Sequence, residues 1–157
     1  MSQPNKSIPD GVRDMRLLLA SFMGGLAVFG VVAVILGPLG GLRDEQTAEI
    51  AVLLRYVAFA ALGLAVVISL VLPRVLRPSL ARESHGDDCF PNPLMAEILM
   101  RAAAFEGAGL LACVAYLLGA DLPTFVVIVL ALAGIFLQMP SDQGVRDAIE
   151  EARREAN

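Results

Sequence analysis

The stretch ILMRAAAFEGAGLLACVAYLLG, residues 98–119, decides the fold of this chain. It has the length of a bilayer-crossing helix, which needs roughly 20 consecutive apolar residues. It nevertheless carries two charges, Arg101 and Glu106. A charge at the centre of a membrane helix costs about 2.5–3.5 kcal/mol, close to what the apolar residues of this stretch contribute to insertion. The stretch therefore predicts a membrane helix that is marginal alone and depends on neighbouring helices.

Apolar residues fall into four blocks along the chain. The quoted stretch belongs to Glu97–Gly119, and the other blocks are Leu17–Gly37, Ile50–Leu72 and Leu122–Met139. The whole chain is 57% hydrophobic and 18% charged, whereas soluble domains carry about 25% charged residues. This pattern predicts an all-α integral membrane bundle of four transmembrane helices.

Cations lie mostly in alternate segments between the blocks. Nine of the lysines and arginines lie in segment 1–16, loop 73–96 and tail 140–157, whereas the other two connections hold only Arg43. Because cytoplasmic segments are enriched in Lys and Arg, both termini and loop 73–96 are predicted to be cytoplasmic. In the tail, Ser141 is positioned to cap a short amphipathic C-terminal helix.

Proline, asparagine and glycine mark the expected helix ends. Pro73 is expected to end the second span, and Asn92 to cap the third helix with Pro93 at its first position. The short turn Gly119–Asp121 predicts that the third and fourth helices are antiparallel neighbours, with Asp121 capping the fourth.

Four ionisable residues are candidates for an intramembrane ion site: Glu106, Arg101, Arg55 and Glu97. Glu97 and Arg101 are four residues apart, which predicts an interfacial ion pair on one helix face. Arg101 and Glu106 are five apart, or about 140° around the helix, so no salt bridge between them is expected.

Two interpretations stay open for both Arg55 and Glu106. Arg55 either extends toward the outer headgroups or bridges to Glu106 over a depth difference of roughly 10–12 Å. Glu106 is either a protonated carboxyl group hydrogen-bonded inside the bundle or a proton or cation site.

Small residues at helical spacing predict close approach of other helices. They lie around Glu106, in the first span and in the second span. The sets are Ala102–Ala104 with Gly107–Gly109, then Ala20/Gly24 with Ser21/Gly25, then Ala61/Ala65/Ser69.

Several classes of function are not expected. His85, Asp87, Asp88 and Cys89 could bind a metal, but zinc sites usually pair Cys or His at fixed spacings and this chain has one histidine. No nucleophile–base pair or phosphate-binding loop indicates an enzyme or a cofactor. No basic patch interleaved with aromatic residues indicates nucleic-acid binding.

The run from Ile98 to Gly107, followed by an apolar helix, a turn, another span and Met139-Pro140-Ser141, resembles small uncharacterised bacterial four-span membrane proteins. The resemblance implies a multi-pass protein of the bacterial inner membrane and no particular activity. The third helix is also similar to the ion-carrying helix of rotary ATP synthase c-subunits, which are hairpins of about half this length.

The leading functional hypothesis is a structural or accessory subunit that associates within the lipid bilayer, as a homo-oligomer or with a membrane partner subunit. The alternative is a small proton- or ion-coupled transporter that uses the carboxylate of Glu106.

Overall fold

The computed structural model describes residues 7–39, 45–83 and 91–155. Within these ranges the chain is all-helical, as the composition predicts. The five helices are α1 (Ile8–Leu39), α2 (Glu45–Glu83), α3 (Asn92–Gly119), α4 (Leu122–Phe136) and α5 (Asp142–Glu155).

Three of these helices are long and apolar enough to cross a membrane. Their apolar parts are Ile8–Gly37, Thr47–Leu76 and Asn92–Gly119. The apolar helix α4 has only 15 residues, or about 22 Å, whereas the hydrocarbon core is about 30 Å thick. The count of four spans therefore stays a prediction.

Helix α3 is the centre of the bundle. It packs against α1, α2 and α4, whereas α1 and α2 make no direct contact within the described ranges. Inside the chain, 39% of the apolar window of α3 is buried, but only 11% of that of α2. The helix that carries Glu97, Arg101 and Glu106 is thus the most deeply buried of the three long apolar helices.

The α2–α3 contact is a seam of small residues. Ala51, Ala58 and Ala65 of α2 are seven residues apart and all buried, so they form one stripe along the helix. A Cβ on Gly119 would lie 3.3 Å from Cβ of Ala51, which places this stripe against α3. Small side chains let the two backbones approach closely.

Glycine allows equally close contact among α1, α3 and α4. A Cβ on Gly109 of α3 would lie 2.6 Å from Cδ2 of Leu26 and 3.0 Å from Cβ of Ala131. A Cβ on Gly134 of α4 would lie 2.5 Å from Cδ1 of Phe105, a buried ring. The predicted close packing around Glu106 is confirmed on this side of α3.

Other small residues have no neighbour. The surroundings of Gly24, Gly25 and Gly107 are open within 4 Å, and Ala20 and Ser21 are exposed. The expectation that the small residues of the first span pack against another helix is therefore wrong within the described chain. The buried side of α1 instead uses larger residues such as Leu19 and Leu26.

Several helix ends differ from the expected ones. Helix α2 continues through Pro73 to Glu83. Pro73 removes one backbone hydrogen bond and its ring crowds the carbonyl four residues earlier, and the contacts of α2 with α3 and α5 stabilise the helix against this cost. Helix α3 is capped by Pro91, not Asn92, because the Pro91 carbonyl accepts a hydrogen bond from the Met95 amide at 3.2 Å.

Helix α5 docks on its own chain. Ser141 Oγ accepts the Gly144 amide at 3.0 Å, which confirms the predicted cap. The buried side chains of Val145 and Ile149 join the core together with Ile8 and Val12 near the start of α1. Helix α5 contacts both α2 and α1.

Gly134→Ala should destabilise the bundle by roughly 1–3 kcal/mol, because the new Cβ forces the Phe105 ring out of its site. Gly107→Ala, whose Cβ meets open space, should be neutral or stabilise by up to about 1 kcal/mol through helix propensity. Thermal unfolding of both variants in one detergent measures the difference. Equal stability of the two variants would contradict this packing.

Candidate functional site

Glu97 and Arg101 form the predicted ion pair on α3. Nη1 of Arg101 donates to Oε1 of Glu97 at 2.9 Å, and 25% and 11% of the two side chains are exposed. Arg101 lies five turns before Gly119, on the α2-facing side of α3. The pair therefore neutralises two charges beside the α2–α3 seam.

Glu106 lies in the middle of α3, at the edge of its packed side. It is half-buried, and among the described residues it takes part in no hydrogen bond or ion pair. Arg101 is engaged with Glu97, in agreement with the expectation that Arg101 and Glu106 do not pair. The exposed Ala103 and Gly107 flank Glu106 on its open side.

Arg55 has a partner that the sequence analysis missed. Nη1 of Arg55 donates to Oδ2 of Asp121 at 2.9 Å, between α2 and the α3–α4 turn. The guanidinium also lies over the ring of Tyr56, 5.3 Å from its centroid. Neither interpretation offered for Arg55, headgroup contact or a bridge to Glu106, included this partner.

Asp121 occupies the predicted cap position of α4 but does not cap the helix with its side chain. Its carboxylate bonds Arg55 instead. One signal in the sequence pointed to this pair: Arg55 is the only charged residue of the second apolar block, and Asp121 the only charged residue of the following antiparallel turn.

The environment of Asp121 favours its charged form. Burial raises its pKa, but the nearby Thr124 and the Arg55 guanidinium lower it more, so the net pKa lies below its usual range. Oδ1 of Asp121 and Oγ1 of Thr124 are both buried, and neither has a hydrogen bond of good geometry to the described residues. The negative charge on Asp121 is stabilised by Arg55 and Thr124, where α2 meets the α3–α4 turn.

A cavity of about 320 Å³ opens beside this pair. It is lined by Ala48, Ala51, Val52 and Leu118, together with Arg55 and Asp121.

Of the four residues predicted to form an intramembrane ion site, the structure brings together only Glu97 and Arg101.

The candidate metal cluster His85–Cys89 lies outside the described residues. Within the described ranges, no group of three or more His, Cys, Asp or Glu side chains could hold a metal ion. Cys113 is a free thiol buried in the core.

Acid should weaken the bundle through Asp121. Because the folded state lowers the pKa of Asp121, its contribution is complete above the unfolded value of about 3.9 and is lost as pH falls through the folded value. Thermal stability measured from pH 7 down to 3 should therefore decrease below about pH 4.

In Asp121→Asn and in Arg55→Gln this part of the acid dependence should disappear, with lower stability at pH 7. Asp147→Asn, which changes an exposed carboxylate of α5, is the matched control and should behave like the parent. An unaltered acid profile in Asp121→Asn is the result that would refute the assignment.

Comparison of the chain with protein-family models, curated proteins and solved structures finds no match. The resemblance drawn from the run around Arg101 and Glu106 therefore stays a prediction.

Proposed function

We propose that this protein spans the bilayer four times and acts by associating with other helices there, as a homo-oligomer or as an accessory subunit of a membrane complex. The observation that carries the proposal is the half-buried carboxyl group of Glu106, which has no partner among the described residues. A polar group at bilayer depth is stable only if something covers it.

The surface next to Glu106 suits a helix. Ala103 and Gly107 are four residues apart and exposed, and the space around Gly107 is open. Such a small-xxx-small pair lets a second helix approach until its backbone or a polar side chain reaches the carboxyl group. A lipid chain there would offer Glu106 no hydrogen-bond partner.

A contact between the start of α1 and the end of α4 supports four spans. Nε of Arg16, near the start of α1, donates to the carbonyl of Pro140, just after α4, at 2.9 Å. An even number of crossings brings these two segments to the same side. The short α4 can be accommodated by local thinning of the bilayer. With the cation asymmetry of the sequence, we place both termini in the cytoplasm of a bacterial cell, with the protein in the inner membrane.

The second candidate function is proton- or ion-coupled transport with Glu106 as the titrating group. The same lack of a partner supports it, since an intramembrane carboxyl group that binds an ion must be able to release it. The two functions differ in what they require of Glu106: association needs hydrogen bonding, whereas transport needs a titratable proton.

Substitutions at Glu106 separate the two. If the protein acts by association, Glu106→Gln should associate like the parent, because glutamine can still hydrogen-bond. Glu106→Leu should associate about 3- to 30-fold more weakly, which corresponds to the loss of one interhelical hydrogen bond of roughly 0.6–2 kcal/mol. Gly107→Leu should weaken association by blocking close approach. Energy transfer between labelled copies in liposomes, and recovery of co-purifying subunits in mild detergent, measure association.

Gly63→Leu is the matched control, because Gly63 of α2 is also open within 4 Å but lies on another helix. If only Gly63→Leu disrupts association, the surface around Glu106 is not the interface. Proton flux into liposomes that is present in the parent and absent in Glu106→Gln, with association unchanged, would favour transport.

A further inference from the structure

A basic cavity lies at the cytoplasmic end proposed for α1. It has a volume of about 400 Å³, and Arg13, Arg16, Leu17, Ala20 and Met139 line it. Pro9 and Val12 line the cavity before the arginines, and Leu17 and Ala20 follow them further along α1. Cations with an apolar wall that continues along the helix match an amphiphile with an anionic headgroup.

The two arginines are available to a ligand. Nε of Arg16 donates to the Pro140 carbonyl at 2.9 Å, which fixes the guanidinium over the cavity. Its Nη atoms make no other bond to the part of the chain that the structure describes. Arg13 is exposed, and it makes no ion pair within the described ranges. Asp142 also lines the cavity, so the local charge is one positive unit.

A small-residue face of α1 leads from this cavity toward a second, apolar cavity between α1 and α4, and this face is called the groove below. Leu17, Ala20, Gly24 and Ala27 follow each other at three- and four-residue spacing, so they share one face of α1. The space around Gly24 is open within 4 Å. Beyond it lies a second cavity of about 300 Å³, lined only by apolar residues, among them Ala27, Val31, Phe125, Val129 and Leu132.

The length of the groove matches the hydrocarbon thickness of one membrane leaflet. From Arg16 to Ala27 the helix rises about 16 Å, and half of the hydrocarbon core is about 15 Å. A headgroup at the arginines therefore places the end of an acyl chain near the bilayer centre, in the second cavity.

We propose that this groove binds one anionic phospholipid, with its phosphate between Arg13 and Arg16 and one acyl chain along Ala20, Gly24 and Ala27. Basic pockets beside membrane helices recognise such headgroups. Phosphatidylglycerol suits the site because it is anionic and its headgroup hydroxyls donate to the carboxylate of Asp142. A net charge of −1 on this lipid balances the pocket, whereas phosphatidylethanolamine leaves one positive charge uncompensated.

A lipid fits these cavities better than a protein segment does. A helix with side chains is about 10–12 Å in diameter, so one that followed the groove would exceed cavities of about 300 and 400 Å³. An acyl chain is thin enough to fill both. The proposal requires a membrane location but not association through Glu106, since Glu106 lines neither cavity.

The test is lipid binding to the full chain in detergent, followed by native mass spectrometry and by thermal stability during titration with phosphatidylglycerol, phosphatidylethanolamine or phosphatidylcholine. The parent should retain one phosphatidylglycerol and gain stability from it. Arg13→Gln should bind about fivefold more weakly, the loss of one cation at an anionic headgroup. Gly24→Leu should lose the bound lipid because its side chain fills the groove.

Two matched controls should bind like the parent. Arg74→Gln removes an exposed arginine of α2 outside the groove, and Gly25→Leu fills open space about 100° around α1 from Gly24. Equal effects in the controls overturn the proposal, as does equal binding of phosphatidylcholine or phosphatidylethanolamine. Stabilisation by inorganic phosphate alone, with no retained lipid, also overturns it. If Arg13→Gln fails to fold, Gly24→Leu decides.

Discussion

Close packing around α3 is the constraint on which the rest of the bundle depends. Helix α3 contacts α1, α2 and α4, and it can do so because small residues lie on the sides that face them, such as Gly109 against Leu26 and Gly119 against Ala51. The same helix carries three charged side chains. Each of these charged side chains has to lie where it does not interrupt the contacts of α3 with the other helices. This requirement explains where the three charges lie on α3.

The four candidate residues of the apolar helices are stabilised in three different ways. Glu97 and Arg101 neutralise each other on one helix, a local solution that needs no tertiary contact. Arg55 pairs with Asp121 across an interface, and this solution holds the α3–α4 turn against α2. Glu106 has neither solution among the described residues. Since the fold supplies partners for the other three candidate residues, Glu97, Arg101 and Arg55, the lack of one at Glu106 indicates a contact outside the chain.

Local rules predicted the all-helical class, the Glu97–Arg101 pair, the Ser141 cap and the short α3–α4 turn, because each depends on neighbours within four residues. The Arg55–Asp121 pair was missed because it depends on how far α2 and α3 are offset, and helical periodicity does not determine that offset. The end of α2 was misjudged at Pro73 because a proline removes one hydrogen bond, whereas tertiary packing stabilises the whole helix. Periodicity likewise gave no indication that Gly24 faces open space whereas Gly109 lies in a contact.

The two surfaces left open are built from different parts of the chain. Glu106, Ala103 and Gly107 belong to α3, whereas the groove is formed by α1, α4 and the first residue of α5. A helix docked beside Glu106 therefore need not displace a lipid between α1 and α4. Arg16 connects the groove to the core, because its bond to Pro140 holds the end of α4 beside α1, next to the docked helix α5. A headgroup bound to the same guanidinium would add to that contact, so lipid binding should stabilise the short α4 without any change at Glu106.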